Sequence, residues 1–155
     1  MRIRSASGAR AVFKMSPMPA VFMIRPFISA NTGHINTHEA GAIEATGHKI
    51  EAIDSKDGKV IPSQIDCILK EHNGDEHMVK PRLVFISNST EVGTIYKKKE
   101  LEELSSFCKA NNLLLYLDGA RLGSALTSKE NDLTLSELSK LVDVLAQMDI
   151  EKIAS

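Results

Sequence analysis

The chain has 155 residues, 43% of them hydrophobic and 25% charged, with a formal net charge of −1. That length suits about one ordinary domain, and the composition excludes whole-chain disorder and a polybasic nucleic-acid binder. Two cysteines, Cys67 and Cys108, are too few for a disulfide scaffold and favour a reduced, cytoplasmic setting, and no apolar run is long enough to cross a membrane.

The charge is unevenly spread. Residues 1–25 hold Arg2, Arg4, Arg10, Lys14 and Arg25, and the first acid is Glu39, so 26–155 keeps 14 basic against 20 acidic residues, about −6. Four of the six methionines also lie in this stretch, with Pro17 and Pro19. An acid-free, Arg-, Ser- and Ala-bearing composition suits a mitochondrial transit peptide, but the prolines interrupt any long amphipathic helix. A secretory signal needs a compact apolar core before a small-residue cleavage site, which is missing. The expectation is an atypical, poorly ordered leader over 1–25.

From residue 26 the pattern alternates between strand and helix. Phe27-Ile28-Ser29-Ala30 reads as a short strand. Asn36, with Glu39 three residues on, predicts a capped helix over 37–46 that stops at Gly47. Lys49 to Ile53 alternates like a half-exposed strand, and Asp57-Gly58 is a turn signal. Pro62 suits a first helical position, Ile65, Ile68 and Leu69 share a face, and Gly74 ends that helix before a polar loop, Asp75-Glu76-His77.

Leu83-Val84-Phe85-Ile86 and Leu113-Leu114-Leu115-Tyr116-Leu117 are unbroken apolar runs, the pattern of strands covered on both faces. Between them, Leu101, Leu104, Phe107 and Cys108 mark a helix over 97–110, closed by Asn111-Asn112. Leu135, Leu138, Leu141 and Val142 predict a last helix over 133–148, capped by Thr134 or Asp132. Both cysteines fall on apolar helix faces as packing residues. Strands alternating with helices argue an α/β fold with a largely parallel sheet, whose ligands sit at the carboxyl ends of the strands.

The groups at those ends carry the candidate chemistry. Asp118 follows five apolar residues, where a carboxylate is costly without a partner. It either caps the following turn or pairs with a cationic ring nitrogen, as in pyridoxal-phosphate enzymes. Arg121 offers a planar fork for a substrate carboxylate, or is a surface arginine paired with Asp118 or Glu130. His34 and His38 stand four apart, with Glu39 next. A metal-binding α/β module would use these three, although an Asn36 cap places His34 before the helix and off that face. A histidine there stacks on a flat ring or is an ordinary loop residue. Ser87-Asn88-Ser89-Thr90-Glu91-Val92-Gly93-Thr94 is a polar loop after a strand, without the glycine pattern of a Walker or dinucleotide phosphate loop.

Three ordered blocks resemble one family, the threonine aldolases and aromatic amino-acid β-eliminating lyases: His34-Ile35-Asn36-Thr37-His38-Glu39-Ala40-Gly41-Ala42, then Val84 to Tyr96, then Leu117-Asp118-Gly119-Ala120-Arg121-Leu122. The resemblance spans about 26–144. It implies a pyridoxal 5'-phosphate enzyme of fold type I, the aspartate-aminotransferase-like scaffold, which cleaves β-hydroxy amino acids such as threonine to glycine and an aldehyde. It implies that His34 stacks on the pyridine ring, Asp118 pairs with the ring nitrogen, Arg121 binds the substrate carboxylate, and Asn88 lies in a loop approaching the cofactor. It also implies a small-molecule amino-acid substrate and a homo-oligomer in the full-length family, with no nucleic-acid or membrane partner.

The same resemblance marks departures. The family's phosphate-gripping loop has no counterpart in 1–25. After Asp143-Val144 the family carries a Thr-Lys motif with small residues and a Schiff-base lysine. Here Leu145-Ala146-Gln147-Met148-Asp149-Ile150-Glu151-Lys152 follows, and Lys152 stands within about a residue of the expected position among unlike neighbours. The expectation is therefore an incomplete large domain over 26–144, a divergent tail over 145–155, and a lyase impaired or inactive on its own. A non-catalytic remnant that pairs with a full-length relative is the rival reading.

Overall fold

The computed structural model describes residues 25–39, 41–73 and 78–146. The expected leader up to residue 24, Gly74 with its polar loop to His77, and Lys152 lie outside the described residues. The elements in chain order are β1 (Phe27–Ala30), α1 (His34–Thr37), α2 (Ala42–Ala45), β2 (Ile50–Ile53), α3 (Pro62–Glu71), β3 (Leu83–Ser87), α4 (Lys98–Ala110), β4 (Leu114–Asp118), α5 (Leu122–Thr127), α6 (Leu135–Leu141) and β5 (Val144–Ala146). The strands form one parallel sheet in the order β2-β1-β3-β4-β5.

Register explains where the core sits. Ile28 pairs with Val84, Val84 with Leu115, and Ile86 with Leu117, so these side chains line one face in an unbroken apolar layer. Helices α3 to α6 all add to that layer, through Ile65, Leu101, Leu104, Cys108, Leu122, Ala125 and Leu138. Each such Leu or Ile contributes roughly 1.5–3 kcal/mol by leaving water. Ser105 Oγ donates to the Leu141 carbonyl at 2.6 Å and ties α4 to α6. At the start of α4, the Glu100 carboxylate accepts the Lys97 amide at 2.7 Å, satisfying a donor the helix cannot. Burial pushes the Cys108 thiol up to about 12, with Asp143 adding to it, so Cys108 is an inert packing residue.

The structure corrects five expectations. The helix over 37–46 is instead two short turns, because Gly41 takes a left-handed φ of 73° that interrupts it. Helix α1 starts at His34 behind an N-capping Gly33, and Asn36 lies inside it, its side-chain amide donating to the Asn31 carbonyl at 2.8 Å. The helix over 133–148 stops at Leu141, capped by Thr134 as one of the two options allowed, and residues 144–146 join the sheet. The cause is Asp143, whose Oδ2 accepts the Leu115 amide at 2.8 Å while its own N–H donates to the Leu115 carbonyl at 2.9 Å. Strand β4 is covered on one face only: Leu115 and Leu117 are buried while Leu114 is 44% exposed. Cys67 is exposed rather than on a buried helix face.

Candidate functional site

The carboxyl ends of β1, β3 and β4 lie side by side, and the loops that leave them meet there. After β1 the chain turns back sharply through Gly33. A Cβ at Gly33 would stand 2.2 Å from Ser29 Oγ and 2.9 Å from the Ala30 carbonyl, so the close approach needs glycine. That turn sets His34 at the head of α1. Its Nε2 is 3.4 Å from a Glu39 carboxylate oxygen, and its ring meets His38 edge-on at 5.2 Å. Its Nδ1 is buried without a hydrogen-bond partner, as are Ser29 Oγ and Thr32 Oγ1 nearby in the chain. Buried polar atoms left open in this way are places for a ligand or water.

After β3 the polar loop is held mostly by its own side chains. Asn88 is buried, its Oδ1 accepting the Tyr96 amide at 3.2 Å and its N–H donating to the Asp118 carbonyl at 3.3 Å. Thr94 Oγ1 donates to the Asp57 carbonyl at 2.6 Å, and the Tyr96 hydroxyl accepts the Val60 amide at 2.7 Å. The Asn88 carboxamide oxygen is thus committed to the backbone. Glu91, in the same loop, points to the site with its side chain 13% exposed.

After β4 come Asp118 and Arg121. Asp118 pairs across the ladder with Ser87, and its Oδ1 accepts the Ala120 amide at 3.0 Å, so it does cap the strand-end turn. Among the described residues no side-chain cation pairs with Asp118. Tyr116 lies on the same sheet face. Its hydroxyl is pushed up by burial first, then by the negative charges of Asp118 and Glu39, which both act on this open face.

Arg121 pairs with neither Asp118 nor Glu130. Its guanidinium makes an ion pair with Glu91, and its Nε donates to the Ser89 carbonyl at 3.4 Å, while Glu130 pairs with Lys97. Glu91 also accepts from Ser87 Oγ at 3.3 Å and lies 3.9 Å from His34 Nδ1. Glu91 therefore links His34 to Arg121. The sequence reading assigned it no role, although a carboxylate in a strand-end loop beside a strand-end arginine was the available signal. Among the described residues no three His, Cys, Asp or Glu side chains converge as a metal site, which leaves the module built on His34, His38 and Glu39 without a donor set.

Residues 18–152 match the family model described as beta-eliminating lyase. The chain belongs to the beta-eliminating lyase family. It is 41% identical over 101 residues to the low specificity L-threonine aldolase of Pseudomonas aeruginosa, a match covering 63% of this chain and 29% of that protein. A Candida albicans low-specificity L-threonine aldolase is 26% identical over 95 residues, 59% of this chain and 25% of that protein. The solved threonine aldolase of Leishmania major superposes with a TM-score of 0.76 at 54% identity, covering 78% of this chain and 35% of that one. An archaeal alanine:glyoxylate aminotransferase, at 21% identity, shares the fold with a TM-score of 0.64, covering 83% of this chain and 31% of that one. The parallel sheet is that of the pyridoxal-phosphate fold type I enzymes. This chain spans about three-tenths of the length of the curated relatives it matches, 29% of the Pseudomonas proteins.

Threonine aldolases and beta-eliminating lyases are pyridoxal-phosphate enzymes, and the residues here suit part of that group. A half-buried carboxylate free of cationic partners among the described residues suits a protonated ring nitrogen. The open Nδ1 of His34 and Oγ of Ser29 offer polar contacts beside it. The carboxamide oxygen of Asn88 is already taken.

Proposed function

We propose that this chain carries one wall of a threonine-aldolase-like active site, for cleavage of β-hydroxy amino acids to glycine and an aldehyde. The observation that carries the reading is the convergence of His34, Asp118 and Arg121 at neighbouring strand ends, with Glu91 linking His34 to Arg121. Pyridoxal phosphate, when bound, would supply the electron-withdrawing ring that takes up the electron pair as Cα–Cβ breaks. Asp118 would hold a proton at the ring nitrogen, His34 would bound the ring on one side, and Arg121 would orient the substrate through its carboxylate. Asn88 would act indirectly, by fixing the loop between β3 and α4.

The division into a leader over 1–25, an incomplete large domain from 26 and a divergent tail is part of the proposal, with the tail expected at 145 now starting after β5, which ends at Ala146. A cytoplasmic location and a homo-oligomeric family assembly are part of it too. Among the described residues no helix is long and apolar enough to cross a membrane. Low cofactor affinity and low turnover by this chain alone belong to the same proposal. The rival reading, a non-catalytic partner of a full-length relative, is favoured by the half-open sheet, with Leu114 exposed on the face that bears the site.

A pyridoxal-phosphate titration followed by borohydride reduction and peptide mapping tests the proposal. A saturable absorbance change with an adduct on one lysine, Lys152 above all, and glycine release from threonine support lyase activity. Neither change nor adduct in the chain alone, with activity modulated on mixing with a full-length relative, supports the rival.

A further inference from the structure

Among the described residues Arg121 is the candidate substrate-binding cation at the strand ends, and its fork is filled from within. The filling group is the Glu91 carboxylate, whose side chain is 13% exposed against 40% for Arg121. Besides Arg121, its partners are weak: Ser87 Oγ at 3.3 Å, and His34 Nδ1 at 3.9 Å, which is beyond hydrogen-bond length. The carboxylate is thus held by Arg121 and little else. His34 Nδ1 beside it is buried without a hydrogen-bond partner and so leaves the carboxylate no further anchor.

We propose that Glu91 is a displaceable stand-in for the substrate carboxylate. It occupies Arg121 in the empty site and gives way to the carboxylate of an amino acid. The physics favours exchange over simple addition. A half-buried guanidinium left bare is costly, whereas trading one carboxylate for another keeps the charge-assisted pair throughout. Glu91 therefore keeps the fork oriented between substrates and sets a threshold that only an anion able to replace a carboxylate passes. Neutral amides and esters of the same amino acid cannot make that trade. Glu91 is a positioning and selectivity residue on this account, acting through Arg121.

The inference rests on the lyase reading for the identity of the ligand, but its test needs no cofactor. Glycine is titrated into the full chain with the Arg121 side-chain Nε–H resonance as the readout, using glycinamide as the uncharged control. The expected result is a saturable shift with glycine and none with glycinamide. Glu91→Gln should bind glycine about tenfold more tightly, because the internal competitor is gone, and Glu91→Asp, which withdraws the charge by one methylene, should fall between. Arg121→Gln should remove binding in every background. A purely structural Glu91 would produce weaker binding on substitution, and that result overturns the proposal, as does the absence of any shift in both the wild type and Glu91→Gln. A tenfold gain without pyridoxal-phosphate binding retains the stand-in and rejects the lyase reading. Cofactor binding without any glycine response does the opposite.

Discussion

The two faces of the sheet differ sharply although the same five strands make both. One face is sealed: Leu115 and Leu117 are 0% exposed beneath four helices. On the other, Leu114 is 44% exposed, and Phe85 stacks on Tyr116 at 5.0 Å. The sealed face supplies the cohesion of the domain. The open face carries Asp118 and the proposed site. An apolar run alone does not tell which face is which, because both kinds of leucine read alike until a helix is known to lie over one of them.

The largest test of that contrast is Leu117→Ala, expected to cost about 2–5 kcal/mol through lost burial and the cavity left behind. Leu114→Ala, three residues away, should stay within about 0.5 kcal/mol. Urea midpoints of the two variants measure both, and equal losses would break the distinction. Asp143→Ala comes next, at about 1–3 kcal/mol, because it leaves the Leu115 amide without its carboxylate partner and loosens β5. Asp118→Asn should change stability by less than about 1 kcal/mol, since an amide oxygen can still accept from Ala120. It should nonetheless remove any pyridoxal-phosphate absorbance change, separating cohesion from chemistry on one strand.

The smallest effect is on pH dependence at the rim of the sealed face. Hydrogen bonding to Lys98, then to the Thr134 backbone and hydroxyl, holds the Glu137 carboxyl at about 2 rather than 4.5. The folded form is the more acidic one, so this stabilisation is complete above pH 4.5 and fades as pH falls toward about 2. The urea midpoint of the wild type should therefore drop more between pH 6 and pH 3 than that of Glu137→Gln. Parallel curves would show that the pair is screened by solvent.

What the sequence disclosed follows the same division. β1, β3, β4, α3 and α4 were legible because burial and helix starts are written in short local patterns, such as Pro62 at a helix start or the spacing of Leu101, Leu104 and Cys108. β5 was not, because Leu138, Leu141, Val142 and Leu145 continue a helical spacing. Long-range bonds, those between Asp143 and Leu115 and that of the Gly119 amide to the Ala146 carbonyl among them, draw residues 144–146 into the sheet. The start of α1 was hidden by a plausible cap at Asn36, while the decisive residue was Gly33, packed on Ser29. His34, Asp118 and Arg121 were found as residues that end strands. The contact that organises two of them, Glu91 to Arg121, joins loops 30 residues apart in sequence and left no local trace.

A sheet in which every ladder is parallel has no hairpin to start from. Leu83 meets Leu114, and Tyr116 meets Val144, only after the intervening chain has closed a long loop, and that ordering entropy is spent before any ladder bond forms. Helix α4, which spans the gap between β3 and β4, is the piece able to gather early from local contacts, while the pairing of strands comes late and sets the rate. During that interval unpaired strands remain competent to join other chains. How much of the protein reaches this sheet is then decided by a race between crossover closure and association, and dilution or slow synthesis favours the first.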